Sequence, residues 1–96
     1  MAVYAEISVI PITGSSSMGE QVRVAFDAIS RTEGIKATLT PLGTQIEAKD
    51  TDAVLNAIKA AHGAARTISS IRIDQRRDKD QTLEDKVRSV NSRLGR

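Results

Sequence analysis

Residues 3–12 alternate with period two. Val3, Ile7, Val9, Ile10 and Ile12 are β-branched, and Glu6 and Ser8 are interleaved on one face. This pattern predicts a strand, with Pro11 at its end or on an edge because a proline nitrogen cannot donate to a ladder. Beyond the polar loop Thr13-Gly14-Ser15-Ser16-Ser17 the period changes. Val22, Ala25, Phe26 and Ile29 follow at i, i+3, i+4 and i+7, the stripe of a helix facing a core. Ser17 and Glu20 have capping-box spacing at its start, and Gly34 stands where a left-handed residue ends a helix.

Residues 35–40 alternate again, with Ile35, Ala37 and Leu39 opposite Lys36, Thr38 and Thr40. Pro41 and Gly43 bend the chain. Residues 44–49 return as a third strand, with Thr44, Ile46 and Ala48 on one face and Gln45 and Glu47 on the other. Asp50 or Thr51 opens a second helix, striped by Val54, Leu55, Ile58, Ala61 and His62 and stopped by Gly63. Residues 67–76 form a fourth strand, in which Ser69, Ile71 and Ile73 face away from Ser70, Arg72 and Asp74. A charged loop then leads to a third helix from Thr82. Its Leu83, Val87, Val90 and Leu94 make a narrow heptad-like seam that calls for another helix or a subunit surface.

The order is βαββαβ followed by one helix. Two right-handed crossovers place the first two helices on one face of a four-stranded antiparallel sheet, so the fold class is α+β, ferredoxin-like, with an extra C-terminal helix. Residues 1–96 make a single domain. The other sheet face needs a cover, which the last helix and a second copy of the chain can supply.

Composition narrows the function classes. Aromatics are 2% of the chain, Tyr4 and Phe26 alone, so the core is Ile, Val, Leu and Ala. The sheet lacks the aromatics with which an RNA-recognition motif stacks bases. There is no cysteine, which excludes a disulfide scaffold, a thiolate metal site and a cysteine nucleophile, and fits a reducing compartment. No apolar run is long enough to span a membrane, and the N-terminus lacks the pattern of a secretory signal, so a cytoplasmic protein is expected. The net charge is +2, and the excess of bases falls after residue 63. There the acids are interspersed, as on a solvated face, so neither nucleic acid nor a membrane is an expected partner.

Four features could carry chemistry. The loop before the first helix could hold an anion or serve only as a capped connection. His62 is the single histidine, so no multi-histidine metal site is possible, and neither a metal nor a cofactor is expected. Glu47, a carboxylate on a central strand, reads as a site residue, as a solvated side chain or as a partner for Arg72. The run Arg72-Ile73-Asp74-Gln75-Arg76-Arg77-Asp78-Lys79 reads as an internally paired strand end or as a network ordering a subunit contact or a polar pocket. No nucleophile–base pair is evident, so no catalytic residue is assigned and the protein is read as a non-enzyme.

Four segments match a known pattern: Ala5-Glu6-Ile7-Ser8-Val9-Ile10-Pro11, Thr44-Gln45-Ile46-Glu47, Ile73-Asp74-Gln75-Arg76-Arg77-Asp78-Lys79 and Glu84-Asp85-Lys86-Val87. Together they resemble the small thiamine-binding protein family, the UPF0045 or DUF77 group related to YkoF-like proteins. Ala48 stands where that family usually carries Gly. The resemblance implies a homodimer or homotetramer that binds thiamine, or its hydroxymethylpyrimidine part, near a subunit contact and without catalysis. It also implies ligand contacts from Thr44 and Glu47, from Asp74 and Arg76, and from Ser8 and Ser17. Accepting carboxylates suit an aminopyrimidine's amino group and a cationic thiazolium. The alternative is a structural or regulatory assembly module with a vestigial pocket. One ligand can reach Thr44 and Glu47, which face opposite ways, only if the strand twists or if the ligand sits at the strand end near Gly43, so a pocket at the rim of the sheet, near a subunit boundary, is expected.

Overall fold

The chain folds as β1 (Ala2–Pro11), α1 (Gly19–Ser30), β2 (Ile35–Thr40), β3 (Gly43–Ala48), α2 (Thr51–Ala64), β4 (Thr67–Arg76) and α3 (Leu83–Arg93). This computed structural model describes residues 2–12, 18–76 and 81–96, without the side chains of Ala2 and Arg76. The four strands form one antiparallel sheet in the order β2-β3-β1-β4. This is the ferredoxin-like arrangement expected from the periodicity, with one added helix.

α1 and α2 lie side by side on one face of the sheet. Val3, Ala5 and Ile7 of β1 and Ile46 of β3 meet Ala25 and Ile29 of α1 and Val54, Ala57 and Ala61 of α2 in a single buried cluster. Each fully buried Val or Ile there contributes about 1.5–3 kcal/mol. The two helices pack over β1, β2 and β3. β4 extends beyond them, so its Ile71 and Ile73 stay exposed although they point to the helix side.

Local chemistry differs from the sequence reading at four places. α1 begins at Gly19 with Met18 in the cap position and no side-chain cap, while Glu20 turns to Arg23 instead. Ser17 lies outside the described residues. α1 ends at Ser30, four residues before Gly34. Gly34 has φ +80° and leads into β2, where a Cβ would meet the Lys49 side chain at 2.7–2.8 Å. α2 runs through Gly63 to Ala64, and its buried stripe is Ala53, Val54, Ala57 and Ala61, which leaves Leu55 and His62 exposed. The β2–β3 turn needs no left-handed residue. Gly43 is required there for close approach, since a Cβ would lie 3.0 Å from the Ile7 carbonyl oxygen and 3.1 Å from Ser8 Oγ.

Candidate functional site: the sheet face beneath α3

Antiparallel partners point to the same side of a sheet, so the register defines what the face away from α1 and α2 presents. One row across all four strands reads Lys36, Glu47, Tyr4, Asp74. The next reads Thr38, Gln45, Glu6, Arg72. This face is polar, and α3 rests on it by its N-terminal end.

Three contacts make that seat. The Tyr4 hydroxyl donates to the Gln81 carbonyl and accepts from the Gln81 N–H at 3.1 Å. Glu47 Oε1 accepts from the Leu83 N–H at 2.5 Å. Lys86 Nζ pairs with Asp74 Oδ2 at 2.6 Å and lies 4.1 Å from the centre of the Tyr4 ring. The first N–H groups of a helix have no partner within it, and a nearby carboxylate also favours the helix dipole, so Glu47 acts as a second cap supplied by the sheet. The helix's own cap is complete. Thr82 Oγ1 accepts from Asp85 N at 2.9 Å, and Asp85 Oδ2 accepts from Thr82 N at 3.0 Å, the reciprocal box. Those hydrogen bonds from Thr82, with Arg88 beside them, hold the Asp85 carboxyl below the usual aspartate range.

Two clefts flank this seat, and Glu47 and Lys36 line both. One, of about 500 Å³, is walled by Tyr4, Glu47, Gln81, Thr82 and Asp85 against the start of β2. The other, of about 550 Å³, runs between α3 and the Thr38–Gln45 row, with Arg88 and Asn91 above. A third cleft, of about 280 Å³, opens at the opposite rim, between α1 and the β2–β3 turn.

The six residues singled out in the sequence do not converge. Glu47 and Asp74 share the α3 face, one strand apart, with Tyr4 between them. Thr44 is on the helix face, 5% exposed, and lines the rim cleft beside Phe26 and Leu39. Ser8 lines the same cleft and donates to the Leu42 carbonyl at 3.0 Å. The strand keeps Thr44 and Glu47 on opposite sides, as the alternation requires. A rim cleft does lie next to Gly43, but Glu47 takes no part in it. The Arg76 side chain and residues 77–80 of the charged run lie outside the described residues, as does Ser17.

Sequence reasoning did not assign Tyr4, Gln81 or Lys86 to this site. The single tyrosine, in a strand otherwise short of aromatics, is the signal that could have flagged it. His62 was placed at the helix end, but its bond to Ser69 Oγ, 2.7 Å from Nε2, was not foreseen. That contact ties α2 to β4 at the surface.

The profile of the thiamine-binding protein family matches residues 5–91. A UPF0045 protein of Methanothermobacter thermautotrophicus is 36% identical over 99 residues, covering 96% of this chain and 99% of the relative. The crystal structure of the MJ1052 protein of Methanocaldococcus jannaschii superposes with a TM-score of 0.81 at 33% identity, over 94% of this chain and 96% of that one. A DUF77 domain of unknown function from Bacillus cereus does so at 0.76 and 25%, over 91% and 88%. No helix among the described residues is long and apolar enough to cross a membrane.

Proposed function

This chain belongs to the thiamine-binding protein family, and we propose that it is a non-enzymatic, cytoplasmic, homo-oligomeric binder of thiamine or its hydroxymethylpyrimidine part, with the ligand held beneath α3. The observation that carries this reading is the Glu47 carboxylate, set where two clefts of about 500 and 550 Å³ meet. Volumes of that order accommodate small organic ligands. An aminopyrimidine donates from its exocyclic amino group, and Glu47 accepts. Among the described residues, Glu47 and Asp85 line the first cleft against one cation, Lys36, a balance that suits a cationic thiazolium. Asp74 lies on the same face, where its carboxylate is paired with Lys86. With one tyrosine on the sheet, an aromatic sandwich around the ligand is absent from the described residues, and affinity is modest.

A thermal-shift screen over thiamine, its phosphates and hydroxymethylpyrimidine tests the reading. A ligand at 100 times its dissociation constant adds about 2.7 kcal/mol to stability, a readable shift. Calorimetry on Glu47→Gln then locates the site. Loss of a charge-assisted hydrogen bond weakens binding by about 1.5–3 kcal/mol. Absence of heat with every one of these compounds overturns the binding function, and equal affinity of wild type and variant removes Glu47 from the site. The second reading, an assembly module with a vestigial pocket, draws on the apolar stripe that α3 leaves exposed: Val87, Val90 and Leu94 are 61%, 53% and 60% accessible. Ligand retained through purification and detected by mass spectrometry decides against it.

A further inference from the structure

Charge is not spread evenly along the second cleft. The α3 residues that wall it run from Leu83 to Asn91, about 12 Å at 1.5 Å per residue. Its acids stand at one end. Glu84 is in the first turn of α3, and Glu47 accepts from the Leu83 N–H. Its bases follow. Arg88 is one turn farther along the helix, and Arg96 lines the same cleft although it lies beyond the last turn. The helix end explains how Arg96 returns. Gly95 has φ +78°, the Gly95 N–H donates to the Ser92 carbonyl, and the Arg96 N–H donates to the Asn91 carbonyl at 2.9 Å. A left-handed glycine with this bonding reverses the chain over the final turn. Lys36 adds an ammonium from β2. Lys36 and Arg96 enter no ion pair among the described residues. Arg88 gives Nη1 to Asp85 Oδ1 at 2.9 Å and has no partner for Nε and Nη2 among the described residues.

We propose that the basic end of this cleft is a phosphate subsite, so that the ligand class is a phosphate monoester of a cationic aminopyrimidine compound rather than the free alcohol. This rests on the reading of Glu47 given under the proposed function, and it adds what the rest of the cleft recognises. A phosphate monoester carries close to two negative charges at neutral pH and three strong acceptor oxygens. Guanidinium groups match such oxygens in pairs, whereas a neutral hydroxyl gains little from them. In thiamine the hydroxyethyl arm leaves the thiazolium ring on the side away from the pyrimidine. With the aminopyrimidine on Glu47, an ester on that arm therefore points along α3 towards Arg88 and Arg96. Glu84 repels phosphate from the foot of the helix and so favours the same direction.

Calorimetry on the whole chain, at constant salt, compares thiamine with thiamine monophosphate. The monophosphate is expected to bind at least tenfold tighter. Arg88→Gln and Arg96→Gln should each cut that ratio at least threefold, and the double variant should bring it within twofold of unity. Both side chains are exposed, so the variants keep the fold, which an unchanged melting temperature verifies. Arg93 is on the same helix but does not line the cleft, and Arg93→Gln should leave the ratio as it is. A ratio of one or less in the wild type, with thiamine still bound, overturns the phosphate subsite and leaves the Glu47 site standing. A ratio that survives the double variant, or falls as far in Arg93→Gln as in Arg96→Gln, overturns it as well. Absence of heat with both compounds overturns the subsite together with the function on which it rests.

Discussion

The two faces of the sheet are held by different physics. On the α1–α2 side, Val3, Ile7, Ile29, Ile46 and Val54 are each less than 2% exposed and interlock around the centre of the sheet. On the other side α3 has no buried residue, and it is fastened by a carboxylate, a phenol and an ion pair. An apolar core cannot rearrange without opening cavities, whereas hydrogen bonds and ion pairs at a surface exchange readily with water or solutes. The rigid side therefore supplies the platform, and the adjustable side holds the clefts.

The sharpest way to break this contrast is to attack the rigid side. Ile46→Ala removes a fully buried side chain at the middle of the core. It should cost about 2–5 kcal/mol and lower the melting temperature of the whole molecule, α3 included. A denaturation midpoint close to that of the wild type would mean that the core is not the platform.

Thr82→Ala acts on the adjustable side. It removes the hydroxyl that accepts from Asp85 N, a loss worth about 0.5–2 kcal/mol for a helix cap. Amide hydrogen exchange should speed up along α3 and leave β1 and α2 protected. Uniform acceleration would show that α3 and the core open as one unit.

Acid gives the smallest and most local effect. Hydrogen bonds from Thr82, with Arg88 nearby, hold the Asp85 carboxyl below its ordinary range. A depressed carboxyl stabilises the fold above the unfolded-state pKa of about 3.9, and that contribution is lost as pH falls through the lower folded value. The C-terminal helix should therefore loosen below about pH 4, with no change between pH 5 and 8. Helix-resolved exchange rates across that range check it, and Asp85→Asn should flatten the dependence.

The rigid side was legible in the sequence because it is written in period. Alternation in β1, β2 and β3, and the stripe in α1, each specify an element and its core-facing side from neighbours in the chain, while alternation in β4 specifies the strand but not its exposure. Thr44 and Glu47 could be assigned to opposite faces on the same grounds, and the capped start of α3 was readable at Thr82. The seat of α3 was not readable. Its contacts join Tyr4 to Gln81, 77 residues away, and Glu47 to Leu83, 36 residues away. No local pattern encodes a partner at such separation. For the same reason Glu47 could not be told apart from a solvated strand residue or a partner of Arg72. Helix ends were misjudged where a glycine did not stop the helix, as at Gly63, which stands exposed in the last turn of α2.

The scarcity of aromatics has an optical consequence. The chain has one tyrosine, one phenylalanine and no tryptophan, so nearly all of its near-ultraviolet absorption and emission arises from a single phenol. That phenol is Tyr4, hydrogen-bonded to Gln81 and lying against Lys86 at the foot of α3. The protein thus carries a native chromophore at the junction between its two halves. Its emission and near-ultraviolet dichroism follow the docking of one helix, while far-ultraviolet dichroism follows the fold as a whole, and the two signals can be read from the same unlabelled sample.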